Sequence, residues 1–248
     1  MSAMREAPDP SPLLAVNGLV AAYGKAEVLH GVTFHVGRGE FVSILGRNGA
    51  GKSTTVCALS GLLPKRAGSV HFAGADVTLS SPRALVRAGL IQVLQGHRVF
   101  PSLTVEDNLT VAAAAAGQRA TRSHLADIYG VFSEIADKRH QPAAGLSGGQ
   151  QQILAVAQGM IAQPRLLILD EPSLGLAPIV VDRILSVMAQ LRRQGVAILL
   201  IEQLFDKALA HSDRCYLMET GRMVHEATSP ELVGNDVLHR AFLGGHVA

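Results

Sequence analysis

Gly46, Gly51, Lys52 and Ser53, in the stretch GRNGAGKS at residues 46–53, fill every fixed place of the pattern G-x-x-x-x-G-K-[ST]. The chemistry they suit is phosphate binding. Glycines let successive backbone N–H groups turn toward one point, a following helix adds its positive end, and Lys52 sets an ammonium beside the β and γ phosphates. Asn48, Gly49 and Thr54 belong to the same nucleotide-binding stretch, and the Ser53 hydroxyl can hold Mg²⁺. That ion also needs a carboxylate, best placed at the end of a buried strand. LLILDE, residues 166–171, supplies one. Two adjacent acids after such an apolar run are costly to bury without an ion or donors to offset them. Asp170 is therefore assigned to the metal, and Glu171 to polarising or deprotonating the water that attacks the γ phosphate. The chemistry is Mg-dependent hydrolysis of a nucleoside triphosphate. An Asp that takes the proton of a substrate hydroxyl would turn the same layout into a kinase, so these residues alone leave the reaction class open.

A second anion cradle follows in LSGGQQQILAVAQGMI, residues 146–161. Ser147 is a good N-cap, and Gly148 and Gly149 leave the helix end open to an anion. Gln150, Gln151 and Gln152 are expected to offer uncharged polar groups at its mouth. An isolated SGG is more often a plain turn before a helix. On the opposing edge of the domain it would serve a head-to-tail pair, each nucleotide gripped by Lys52 of one copy and Ser147 of the other. ATP would then join the copies, and hydrolysis would release them.

The surrounding elements must position these groups. Short apolar or alternating segments before residue 46 read as strands, and STTVCALSGLL as the helix that the phosphate loop requires. GSVHFAGADV reads as two short strands bent at Gly74, and Ser81 with Pro82 as the start of a helix. From residue 104 to about 163 the chain is alanine-rich with apolar spacings of three and four, the sign of a helical lobe. Buried strands return at PRLLILDEPS and GVAILLIEQ around a helix with Ile184, Val187, Met188 and Leu191 on one face. CYLMETGRMVHEA predicts a hairpin, and SPELVGNDVLHRAFLG a terminal helical piece capped at Ser229. Residues 1–12 are expected to be a loose tail and 13–248 a single domain, with the helical subdomain at about 96–163 inserted in the α/β core.

Composition narrows the partners. With 48% hydrophobic residues among 248, the chain can bury a sizeable core. Lys and Arg number 22 against 20 Asp and Glu, with no basic stripe, so nucleic acid is not expected as a partner. Cys57 and Cys215 have no framework spacing, which points to a reducing compartment, and Cys57 is expected to fill core space. The histidines are scattered without metal-ligand spacing. No apolar run reaches the roughly 20 residues needed to span a bilayer. The opening MSAMREAPDPSPLL lacks the apolar stretch of a signal peptide, so the expectation is a cytosolic chain able to dock on something embedded.

From Leu13 to about Gly244 the sequence resembles the ATP-binding subunits of ABC transporters. LSGGQQQ is similar to their signature, and GRNGAGKST, LLILDE and the glutamine of VLQGHRVFPSLTVEDNL are similar to their other ordered motifs. The resemblance implies a P-loop NTPase fold of the ABC ATPase type: α/β, with a mixed β-sheet core, an antiparallel β subdomain and an inserted helical subdomain. It implies ATP and Mg²⁺ as cofactors, Tyr23 as a stacking partner for adenine, and Gln95 as a contact to metal and attacking water. It also implies transmembrane permease subunits as partners. A second ATP-binding subunit, as homodimer or sister cassette, and indirectly a solute-binding protein complete the set. Two positions depart from the family pattern: Gln203 stands where a histidine usually contacts the γ phosphate, and Ala177 where many members have an aspartate. SLGLAP, the pair Glu202–Gln203 and METGRMVHEA resemble most the subfamily that energises uptake of branched-chain amino acids, in which glutamine at that place is an expected variant. Importers of urea or short amides, a nucleotide-dependent regulatory module and a non-transport ATPase of the same superfamily are the other readings.

Overall fold

Apolar runs too continuous for a strand with one wet face form the centre of the molecule. The computed structural model describes residues 11–96 and 98–233; residues 1–10 of the expected tail and the terminal piece beyond 233 lie outside them. The strands are β1 (Leu14–Tyr23), β2 (Ala26–Val36), β3 (Phe41–Leu45), β4 (Lys65–Phe72), β5 (Ala75–Asp76), β6 (Leu90–Val93), β7 (Leu166–Asp170), β8 (Ala197–Glu202), β9 (Arg214–Glu219) and β10 (Arg222–Thr228). The helices are α1 (Lys52–Leu59), α2 (Pro82–Ala88), α3 (Val105–Ala115), α4 (Arg122–Val131), α5 (Ser133–Ala136), α6 (Gly148–Ile161), α7 (Pro178–Arg193), α8 (Phe205–Leu209) and α9 (Ser229–Val233).

A six-stranded sheet has the order β10-β9-β3-β8-β7-β6, parallel except for the β9–β10 hairpin, and an antiparallel sheet has the order β2-β1-β4-β5. Every residue of β3, β7 and β8 is buried. Their period of two sorts side chains onto opposite faces. Leu45, Leu169 and Leu200 join Val156 of α6 and Ile184 and Met188 of α7 in one core. Ile44, Ile168 and Ile201 join Val56 of α1 and Leu14 and Leu29 of the antiparallel sheet in another. Ser43, polar in the middle of β3, meets Ser212 Oγ at 2.5 Å, and Ser212 donates to the Ala208 carbonyl.

Helix starts follow local chemistry. Ser81 caps α2 with Pro82 behind it, and Thr104 accepts from the Asp107 N–H at the start of α3, where Glu106 and Asp107 face the positive helix end. Between β6 and β7 lie α3 to α6. At the far end the expected cap is corrected: Ser229 is the first residue of α9, and its Oγ lies 3.8 Å from Cys215 Sγ. The Thr228 N–H is satisfied by the Glu231 carboxylate at 2.8 Å.

Candidate nucleotide-binding site

β8 lies between β3 and β7, so three buried parallel strands end side by side: Leu45 pairs with Glu202, and Asp170 with Ile201. The loops that follow these strands converge, the usual place for a ligand in a parallel sheet. Residues 46–51 turn the chain from β3 into α1. Gly49 and Gly51 have φ of +82° and +106°, the left-handed region that favours glycine. Gly46 is required by crowding, since a Cβ there would stand 2.4 Å from the Met218 carbonyl oxygen. Lys52, 4% exposed, turns back over the loop and donates to the carbonyls of Gly46 at 2.8 Å and Arg47 at 3.2 Å. Its Nζ also lies 3.2 Å from Glu171 Oε1.

Ser53 Oγ donates to Asp170 Oδ1 at 3.0 Å. Burial pushes the Asp170 carboxyl above the ordinary carboxylate range; the Ser53 hydrogen bond opposes this, and the charge of Glu171 adds to it. A hydroxyl and a carboxylate side by side are the hard oxygen donors that Mg²⁺ takes, and a dication would offset the negative charge gathered there. Among the described residues no group of three His, Cys, Asp or Glu is placed to hold a metal. The Ser53–Asp170 pair by itself supplies two hard oxygen donors, which fits an ion shared with a bound ligand.

Glu171 has φ +46°, uncommon for a residue with a side chain, and its N–H donates to the Ile201 carbonyl at 2.9 Å. Its Oε1 accepts from Gln203 Nε2 at 2.7 Å and its Oε2 from Gln95 Nε2 at 3.1 Å. Glu171, Gln95 and Gln203 thus form one cluster with Lys52. A cavity of about 310 Å³ opens onto it, with Asn48, Gly49, Gly51, Lys52, Ser53 and Thr54 on the loop side and Gln95 and Glu171 opposite.

Other expected residues lie outside that cavity. Tyr23 ends β1 and is 54% exposed. Cys57 packs partly buried against the core; burial and then the charge of Asp170 push its thiol up, which suits a filler and not a nucleophile. Ser147 and Gly148 are exposed at the start of α6 and do not line the cavity beside their own Lys52. The glutamines that follow are not open at this mouth, contrary to expectation. Gln150 closes a capping box with Ser147 and donates to the Glu134 carbonyl, Gln151 donates to the Ala143 carbonyl, and Gln152 is buried. The orphan groups of the helix end and the turn before it claim them first. Ala177 stands at the N-cap of α7 without a side-chain bond. Sequence reasoning gave Glu202 no role, although AILLIE repeats the pattern of LLILDE, an acid closing an apolar run.

The ABC transporter family profile matches residues 29–174. The chain is 37% identical to the high-affinity branched-chain amino acid transport ATP-binding protein BraG of Pseudomonas aeruginosa, over 94% of this chain and 100% of that protein. It is 30% identical to the lipopolysaccharide export system ATP-binding protein LptB of Escherichia coli, over 93% of this chain and 97% of that one. The solved structure of an ATP-binding subunit of an ABC transporter superposes with a TM-score of 0.80 at 29% identity, covering 91% of this chain and 94% of that chain.

Proposed function

This chain belongs to the ABC transporter family as an ATP-binding, ATP-hydrolysing subunit, and on that premise we propose that it powers membrane import of branched-chain amino acids. Its fold is the P-loop NTPase fold of the ABC ATPases, and its cofactors are ATP and Mg²⁺. The observation that carries the solute class is the 37% identity along the whole length of BraG. Similarity to LptB at 30% favours a second reading, a cassette serving an exporter.

In this proposal the loop amides and Lys52 hold the β and γ phosphates, with Gly46, Asn48, Gly49, Gly51 and Thr54 shaping the cradle. Ser53 and Asp170 would hold Mg²⁺, with Gln95 nearby, and the bound ion draws negative charge from the phosphates. Incoming phosphates compete with Glu171 for Lys52, so binding frees Oε1 to meet water. Gln203 and Gln95 approach opposite oxygens of that carboxylate and aim it, and Glu171 accepts the proton of the attacking water. Tyr23 offers a flat face to adenine. A second ATP-binding subunit, a copy or a sister cassette, closes each nucleotide with the exposed Ser147 and Gly148 at the start of its α6 and the half-buried Gly149 behind them. Permease subunits hold the pair at the cytoplasmic face of the plasma membrane, and a solute-binding protein delivers solute to them. Among the described residues no helix is long and apolar enough to cross a membrane.

Reconstitution with the neighbouring membrane subunits in vesicles tests the solute. Leu, Ile and Val are expected to enter in an ATP-dependent way, and urea to stay outside. Active ATP turnover with none of the three amino acids transported would overturn the assignment.

A further inference from the structure

Glu202 ends β8 with 3% exposure, between the strand that carries the phosphate loop and the strand that carries Asp170 and Glu171. Both of its carboxylate oxygens are taken by backbone groups. Oε1 accepts from the Ser173 N–H at 3.2 Å, in the loop after β7. Oε2 accepts from the N–H groups of Gln203 at 3.0 Å and Leu204 at 3.5 Å, in the loop after β8. One buried charge therefore fastens two loops that are far apart in sequence. A carboxylate suits the task because it is acceptor-only on both oxygens. An amide would turn a donor toward one of the two loops.

Between those fastenings sits Glu171, held in the left-handed region at φ +46°. Such a backbone persists only where its surroundings over-determine it. Here the end of β8 supplies three restraints in a row: the Ile201 carbonyl takes the Glu171 N–H, Glu202 takes the Ser173 N–H, and the Gln203 amide takes Glu171 Oε1 at 2.7 Å. Glu202 also fixes the backbone of Gln203, so the amide that aims Glu171 and the turn that carries it share one anchor.

We propose that Glu202 is a positioning residue for ATP hydrolysis, locking the Gln203 amide and the Glu171 turn in the mutual arrangement that points the Glu171 carboxylate at water. The inference rests on the role proposed for Glu171. Its effect belongs to turnover and not to nucleotide affinity, because Glu202 does not line the cavity that receives the phosphates.

The test measures steady-state ATP turnover, ATP affinity by equilibrium titration and melting temperature on the full chain. Glu202→Gln is expected to lower kcat about tenfold or more while KM for ATP stays within about threefold. Combined with Gln203→Ala, it is expected to cost no more than about twofold beyond the worse single variant, because both act through one carboxylate. A purely structural acid would lower melting temperature and ATP affinity together with turnover, and its losses would multiply with those of Gln203→Ala; either outcome overturns the proposal, as does an unchanged kcat. Should Glu202→Gln not fold, Glu202→Asp, which keeps the charge but withdraws it by one carbon, is judged on the same criteria. Glu171→Gln is measured in parallel. If that variant still turns over ATP, the reading of Glu171 fails; if it is inactive while the Glu202 variants are normal, only the present inference fails.

Discussion

Replacing Glu171 with glutamine removes the charge of one carboxylate and keeps its size. Three donors now converge on it: Gln203 Nε2 and Lys52 Nζ on Oε1, and Gln95 Nε2 on Oε2. A glutamine can meet only one side with its oxygen, so one of the flanking amides must turn away. The ion pair with Lys52 is lost where the two side chains are 3% and 9% exposed. At their 3.2 Å separation and an effective dielectric constant of about 20, the attraction removed is about 5 kcal/mol. That is an upper bound, because Lys52 keeps the Gly46 and Arg47 carbonyls and both charges are released from a desolvated contact. The free chain bears this loss, whereas in the proposed mechanism the nucleotide-bound state has already exchanged Glu171 for phosphate at Lys52. Affinity for ATP should accordingly be kept or raised. Turnover should fall by about 10²–10⁴, or roughly 3–5 kcal/mol of barrier, the share of a general base. Phosphate release from Mg-ATP with the membrane partners present, equilibrium titration with ATP, and the lifetime of the nucleotide-bound pair on gel filtration give the three readouts. A kcat within about threefold of the parent would refute the role of Glu171 as base. So would a loss of turnover matched by an equal loss of affinity.

Lys52→Ala should weaken ATP binding at least tenfold by titration, and native affinity would remove the proposed phosphate contact. Gly46→Ala should cost about 1–3 kcal/mol in urea unfolding and disturb ATP binding, since the new Cβ meets the Met218 carbonyl oxygen at 2.4 Å; an unchanged midpoint would show that the loop has room. Ser147→Glu places a bulky acid at an exposed helix end whose dipole tolerates the charge, so circular dichroism and ATP binding by the single chain should persist while ATP-driven pairing is lost. Normal pairing of that variant would sink the enclosure between copies.

Local patterns made the parts of this site legible, while their connections depend on distant register. The run of four glycine, lysine and serine positions fixes a loop because phosphate binding needs those residue types at those places. Apolar runs such as LLILD and AILLIE show themselves as strands buried on both faces. Nothing local says that β8 inserts between β3 and β7, and that one pairing brings Gln203 to Glu171 across 32 residues. Gln95 reaches the same carboxylate across 76 residues, and its role came into view only through the family resemblance. The glutamines after Gly149 show the converse error. Their polarity suggested an open mouth, but hydrogen-bond demand at the helix end and the preceding turn absorbed Gln150 and Gln151.

The same insertion of β8 explains how a neutral residue can stand where the family usually has histidine. At the end of a strand flanked by the phosphate loop and the paired acids, the first loop residue needs only a donor that reaches Glu171. Gln203 supplies one at 2.7 Å without carrying a charge of its own. An imidazole would gain and lose a proton near neutral pH, whereas an amide does not titrate. The charge on the loop after β8 therefore stays constant, and the cation that the cluster holds is Lys52, already divided between two carbonyls and a carboxylate. In the proposed mechanism phosphate takes that cation from Glu171, so binding and the release of the proposed base become one event. A chain that couples them this way needs the carboxylate held firmly once the lysine leaves, and the two glutamine amides with the buried acid behind them are placed to do so.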